Sequence, residues 1–176
     1  MADPVYDTAS LLLDCLQTQF AVPNPNLPTP GLFSLQAGEQ ISEDIDPIIG
    51  EDLCCTGFGW VRIGDTYPSS NFPAADPVTA KCFPTAWAQE FEVGLLGCWI
   101  PGGEPMMATP AQRAQAAVED AERLRMLKLT ACCYGNDTQV RQRGRLWTVA
   151  GISVSGPRGN CISRVMSILV QLPKCC

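Results

Sequence analysis

The residues with the richest chemistry in this chain are its ten cysteines, and they come without a single histidine. Cys54 and Cys55, Cys132 and Cys133, and Cys175 and Cys176 are adjacent pairs, while Cys15, Cys82, Cys98 and Cys161 stand apart. Two thiolates converge on a metal ion, or on each other in a redox centre, when a two-residue spacer separates them; no such spacing occurs, and without histidine there is no mixed zinc site. No metal and no cofactor are therefore expected. The absence of histidine also removes the Ser-His and Cys-His pairs that activate most nucleophiles. Residues 151–156 have the outline of a nucleophile elbow around Ser153, but Ser155 stands where the second glycine belongs, and the alternation reads as a strand. Glu90 and Glu92 could be imagined as a carboxylate pair for acid/base work, yet alternate positions on a strand more often form a solvated or interface face. The chain is not expected to be an enzyme, and its function is sought in surfaces.

The elements that would position these groups follow from breakers and periodicity. Asp3 before Pro4 is a capping carboxylate followed by proline at a first helical position, and Ala9, Leu12, Leu13, Leu16 and Phe20 recur at helical spacing, which predicts a helix over 4–20. Residues 22–53 carry Pro23, Pro25, Pro28, Pro30 and Pro47 and read as a Pro-rich loop or arm with room for one short strand. Residues 57–64 and 86–98 have strand composition; in the second, Trp87, Gln89, Phe91, Val93 and Leu95 share one face, and Ala88, Glu90 and Glu92 the other. The Pro-rich stretch from Tyr67 to Phe83 cannot be a central strand and reads as a protruding loop. If the two strands pair antiparallel, Cys54 or Cys55 approaches Cys98, so that a Cys55–Cys98 disulfide and two small buried thiols are equally open readings.

Thr109 before Pro110 repeats the cap signature and predicts the longest helix, running to Cys133 with Gly135 as its stop. Ala117, Ala121, Leu124, Leu127 and Ala131 mark one face of it, and Ala114, Ala117 and Ala121 suit close packing on a sheet. Leu146–Ser155 and Cys161–Leu172 are β-rich runs joined by turn residues 156–160, a closing hairpin. The expected fold is α+β: a mainly antiparallel sheet of about four strands with two packed helices, in a single domain over 1–176.

Composition narrows the function further. Apolar residues make up 46% and charged residues 17% of 176, a low charge fraction that suggests surface hidden in an oligomer. A net charge of −6 argues against holding nucleic acid by neutralising its phosphates. No basic n-region with an apolar h-region opens the chain and no apolar run approaches a bilayer-spanning length, so a soluble protein made in a cytoplasm is expected. Many cysteines without a secretion signal fit a particle assembled inside a cell and released later. Arg141, Arg143 and Arg145 form the main basic cluster, read as a polar turn before a strand or, more sharply, as an intersubunit contact.

Cys55, Trp60 to Arg62, Tyr67 to Ser69, Phe72, Pro73, Cys82, Glu90 to Gly94 and Cys98, followed by a Pro-led helix with Glu119 to Ala121 and ending at Ala131 to Cys133, together resemble neck proteins of long-tailed bacteriophages of actinobacteria. The resemblance covers about residues 55–133 and is strongest to tail terminators. It implies a structural virion protein in the tail and neck: a ring, usually of six copies, that caps the tail tube, ends its polymerisation and meets the head-completion or stopper protein. The implied partners are the chain itself, the major tail tube protein and that head-side protein, with DNA passing the lumen without specific binding and no membrane involved. A head-to-tail adaptor or a stopper is the nearest alternative, a disulfide-stapled extracellular binding module a more distant one. Charged residues beside expected sheet edges or loops, Arg62, Asp65, Glu90, Glu92, Arg141 and Arg143, are the candidate interface. Charge reversal of Arg143 is expected to weaken ring assembly; an unchanged oligomer mass for that variant, measured by light scattering, would count against its interface role.

Overall fold

The computed structural model describes residues 3–36, 57–77, 86–99, 107–142, 144–158 and 161–172. The chain begins with helix α1 (Pro4–Thr18), where the Asp3 carboxylate accepts a hydrogen bond from the Val5 amide at 2.9 Å and Pro4 occupies the first turn. That cap answers two of the constraints of a helix start at once: an orphan N–H is satisfied, and proline stands where its missing N–H costs nothing. Thr8, Ala9, Leu12, Cys15 and Leu16 form the buried face of α1.

Strand β1 (Leu32–Gln36) follows, then β2 (Phe58–Pro68) and β3 (Trp87–Cys98). The long helix α2 (Pro110–Asn136) opens with a capping box in which Thr109 Oγ1 accepts from the Gln112 amide and Gln112 Oε1 accepts from the Thr109 amide. It runs through Gly135, the expected stop. Asp137 ends it and caps the short helix α3 (Thr138–Gln142), with Oδ1 accepting from the Gln139 amide at 2.7 Å. Strands β4 (Trp147–Arg158) and β5 (Cys161–Leu172) close the fold.

The five strands lie in the order β1-β2-β3-β5-β4. Four of them pair antiparallel, but β1 pairs parallel to β2, with Leu32 opposite Phe58 and Gln36 opposite Arg62. The sheet is thus mixed and one strand larger than expected, and α3 is a third helix. The additional strand comes from the Pro-rich region 22–53, where Leu32–Gln36 lies in the proline-free run between Pro30 and Pro47; residues 37–53 lie outside the described residues. Entering at the edge, β1 needs only one neighbour, so the prolines before it disturb no ladder.

The main core lies between the sheet and α1 and α2. Val61, Phe91, Val93, Leu95, Met166, Ile168 and Val170 point from the strands toward Leu12, Leu16, Met126, Leu127 and Tyr134. The predicted alternation of β3 is the observed one on this point: Phe91, Val93 and Leu95 are buried in this core, while Glu90 and Glu92 alternate with them. On the opposite sheet face, Phe58 and Trp60 stack at 5.6 Å between ring centroids and pack with Leu96. Trp60 stands opposite Gly94 in the ladder, and its indole occupies the place a side chain at Gly94 would take. Gly94→Ala would collide with a buried ring.

Helix α2 packs differently from expectation. Its buried face is Ala116, Glu119, Arg123, Met126, Leu127, Thr130, Ala131 and Tyr134, and Ala114, Ala117 and Ala121 face outward. Leu127 and Ala131 sit where the spacing put them, but the early alanines do not. The inward stripe is polar in its first half, so a count of apolar residues selects the wrong face there.

Candidate functional site

Among the candidate interface residues, Arg62 and Glu92 pair with each other, while Asp65 and Arg141 are exposed. Arg62 and Glu92 face each other in the β2–β3 ladder, and Arg62 Nη2 meets Glu92 Oε2 at 2.5 Å with the side chains 15% and 25% exposed. As cross-strand partners they neutralise one another. Glu90 is half-buried beside Gly64; burial, and secondarily the Glu90 charge, raise the Tyr67 phenol above its ordinary value.

Asp65 is exposed on an irregularity of β2 between Ile63 and Thr66. The buried Gln89 pins that irregularity from the core side: its Nε2 donates to the carbonyls of Gly64 at 2.8 Å and Asp65 at 3.2 Å, and its Oε1 accepts from Thr66. A bulge re-aims a side chain while the strand continues, so Asp65 is the candidate best presented to a partner. Arg141 is exposed on α3, which replaces the polar turn expected there, and Arg143 lies outside the described residues. Cys98 is disulfide-bonded; Cys55, offered as its partner, lies outside the described residues.

The sequence reading missed the disulfide between Cys15 of α1 and Cys133 of α2, with a Cα separation of 5.7 Å. Both cysteines lie on helix faces that meet over the sheet, and no feature of spacing along 118 intervening positions pairs them. Cys161 is also disulfide-bonded, whereas Cys132, adjacent to Cys133, is free and exposed.

It missed as well the buried ionic layer of α2. Glu119 and Arg123, one turn apart and each 4% exposed at the side chain, pair at 3.3 Å, and Asp120 binds both Nε and Nη2 of Arg164 on β5. The signal was present as an acid four residues before a base, but that spacing is usually read on a solvated face. Burial pulls the Arg123 guanidinium below its ordinary value against the supporting charges of Glu119 and Asp120, while the hydrogen bond to Asp120 raises Arg164. Glu119→Gln leaves a buried cation short of its partner, and breaking such a pair costs several kcal/mol. Denaturant titration should show a loss of about 3 kcal/mol, the low end of the range, because Asp120 still lies beside Arg123; a loss below about 1 kcal/mol would mean that water reaches the pair.

Two concave regions flank these features. A cleft of about 130 Å³ at the C-terminal end of β3 is bounded by Phe20, Leu27, Pro28, Leu96, Gly97 and Arg123. A shallower, polar one of about 290 Å³ lies between α1 and α3, with Asp7, Asp14 and Arg145 on its walls. Arg145 Nη1 donates to Thr8 Oγ1 at 2.8 Å, which ties the entry of β4 to α1. Below it the fully buried Tyr134 makes an edge-on contact with Trp147 at 5.7 Å. The Tyr134 hydroxyl makes no well-formed hydrogen bond, although Arg145 and Thr8 are its neighbours, and burial raises its pKa above 10.0.

The sign of the resulting pH dependence is fixed. A phenol that ionises later in the folded than in the unfolded chain leaves stability intact below pH 10 and erodes it as pH rises from there toward the folded value. Tyr134→Phe should be near neutral in stability at pH 7 and should flatten the alkaline fall; an identical alkaline fall in both proteins would assign it to other groups.

The sheet edges are the remaining surface. Among the described residues no strand pairs with the outer edge of β1 or of β4. Each edge carries exposed large aliphatics: Leu32 on β1, Val149 and Val154 on β4, with Leu146 just before it. On β4 the register shifts between Val149 and Gly151, an edge irregularity of the kind that limits indiscriminate pairing. Among the described residues no group of acidic or cysteine side chains gathers as a metal site, and no helix is long and apolar enough to cross a membrane. No known protein family matches the chain, and no curated protein does.

Proposed function

We propose that this chain is a structural virion protein of a phage neck, a tail terminator whose ring of about six copies caps the tail tube, ends its polymerisation and joins it to the head-completion proteins. The observation that carries this reading is the element order. A first helix, a sheet crossed by a second, Pro-led helix and a final hairpin is the order that suits the tail-terminator fold that residues 55–133 resemble, the first helix and the hairpin agreeing in kind. An adaptor would be mainly helical and a stopper a small β barrel, and an open five-stranded sheet under two long helices suits neither.

The surfaces support a ring in physical terms. A head-to-tail contact uses two different patches of one chain and closes when the rotation between neighbours divides the circle. The outer edges of β1 and β4 are two such patches, on opposite sides of one sheet, each with exposed aliphatic residues that an unpaired strand would otherwise present to water. The net charge of −6 suits a lumen through which DNA passes without sticking. On this reading the protein works by geometry and avidity, with no turnover.

One observation favours the alternative of a disulfide-stapled extracellular binding module: Cys15–Cys133 is a long-range staple, and Cys98 and Cys161 are also bonded. The two readings part in one experiment. Adding the purified chain during polymerisation of the tail tube protein should stop growth, giving shorter tubes whose ends carry a ring in electron micrographs. Tubes of unchanged length with bare ends would remove the terminator reading and leave the adaptor, the stopper and the binding module.

A further inference from the structure

We infer that the helix layer decides how copies of this chain meet: the basic outer face of α2 docks against the acidic outer face of α1 of a second copy, so that the contact runs head to tail. This rests on the ring reading and names the surface that selects it.

Topology brings the two faces together. The sheet runs β1-β2-β3-β5-β4, and over it α1 lies chiefly on β1 and β2 while α2 lies on β3 and β5. The helix layer therefore runs from α1 to α2 in the same sense as the sheet runs from β1 to β4. A copy that brings its β1 edge to the β4 edge of its neighbour also brings its α1 beside the neighbour's α2.

Charge distinguishes the faces. Helix α1 and its cap carry Asp3, Asp7 and Asp14 and no basic residue. Asp14 is exposed and Asp7 half-buried, and neither has an ion-pair partner among the described residues; Arg145, on the wall of the same cleft, donates to Thr8. On α2 the exposed charged side chains are Arg113, Arg125 and Lys128. The acids of α2 are engaged elsewhere: Glu119 is buried with Arg123, Asp120 is held by Arg164, and half-buried Glu122 by Asn24 and Arg125. A helix that shows only bases, in a chain of net charge −6, fits an acidic partner, and α1 of a second copy supplies one.

The apolar side chains favour protein over nucleic acid as that partner. Val118 and Leu129 are exposed beside the bases of α2, and Tyr6 beside the acids of α1. A phosphate backbone would meet the bases and leave Val118 and Leu129 in water, whereas a protein face covers both. The same charges oppose two-fold contacts: joining two β1 edges sets acidic α1 against acidic α1, and joining two β4 edges sets basic α2 against basic α2. Head-to-tail contact is the arrangement that pairs opposite signs, and it is the one that closes rings.

The test is sedimentation of the full chain over a range of concentrations, alone and with polymerised tail tubes. Asp7→Lys with Asp14→Lys, and separately Arg125→Glu with Lys128→Glu, should each raise the concentration for half-assembly at least about tenfold. Because the first pair could loosen α1, the second, on exposed positions of α2, stands as an independent readout. The chain with all four reversals keeps its net charge and should assemble within about threefold of the parent. Unchanged assembly of both paired variants would overturn the contact and leave a ring held by its sheet edges. A folded four-reversal chain that stays single would overturn the complementarity. Unchanged assembly joined to loss of duplex DNA retention in the Arg125 and Lys128 variant would assign the basic face to nucleic acid instead. A parent that stays single, with or without tubes, would overturn the ring reading and this contact with it.

Discussion

Removing Cys15 and Cys133 together, as alanines, is expected to lower the unfolding free energy by about 4–5 kcal/mol, the largest single effect on stability that the fold implies. The reasoning starts in the unfolded chain. A cross-link between residues 118 apart deprives the denatured ensemble of much of its freedom, and the loop-entropy relation gives about 5 kcal/mol for a loop near this length. The staple also joins the two helices that cover the sheet, α1 and α2, at a point where both cysteines are packed against the main core. For a domain of this size the loss corresponds to a fall in melting temperature on the order of 10 °C. Denaturant unfolding of the double variant, beside the parent with and without reductant, measures it. The reduced parent, which also loses the bonds of Cys98 and Cys161, should be destabilised at least as much as the variant; a loss below about 1 kcal/mol in both would show that helix packing alone holds α1 in place. On the ring reading, a protomer made in a reducing cytoplasm folds first and gains the staple after release.

The second large effect concerns assembly. Val149→Lys with Val154→Lys places two charges on the exposed aliphatics of the β4 edge, and charged edge residues are how natural sheets prevent strand-to-strand association. The substituted positions are exposed in the protomer, so folding should be retained, with a stability change within about 0.5 kcal/mol as for ordinary surface substitutions. On the ring reading, the native mass should fall from the ring to the single chain. A variant that still assembles fully would exclude the β4 edge from the subunit contact and leave the outer face of α2, with Val118 and Leu129 exposed, as the surface to examine.

What could be read from the sequence was what local chemistry dictates. Asp3 and Pro4, and Thr109 and Pro110, announce their helices because caps and prolines act within a turn. The alternation of Phe91, Val93 and Leu95 with Glu90 and Glu92 announces a strand with one face in the core. A short strand in 22–53 could be allowed for but not placed, because five residues in a Pro-rich region carry too little pattern, and the parallel pairing of β1 is decided by a neighbour more than twenty positions on. The inner face of α2 was misread because Glu119 and Arg123 are buried as a pair, which an apolar count treats as solvent-facing. Cys15–Cys133 depends on how two helices cross, and Arg62 with Glu92 on the register of two strands. Each is tertiary information that no single segment contains. Of the candidate interface residues, Arg62 and Glu92 look free for the same reason, until their pairing across the ladder is known.

The central claim is that copies of this chain close into a ring on the end of a tail tube, and the most direct measurement is the native mass by light scattering, alone and with polymerised tail tubes. The account predicts a species of about six times the 19.0 kDa protomer, either free in solution or formed on tube ends. A stable single chain that ignores tubes would contradict it.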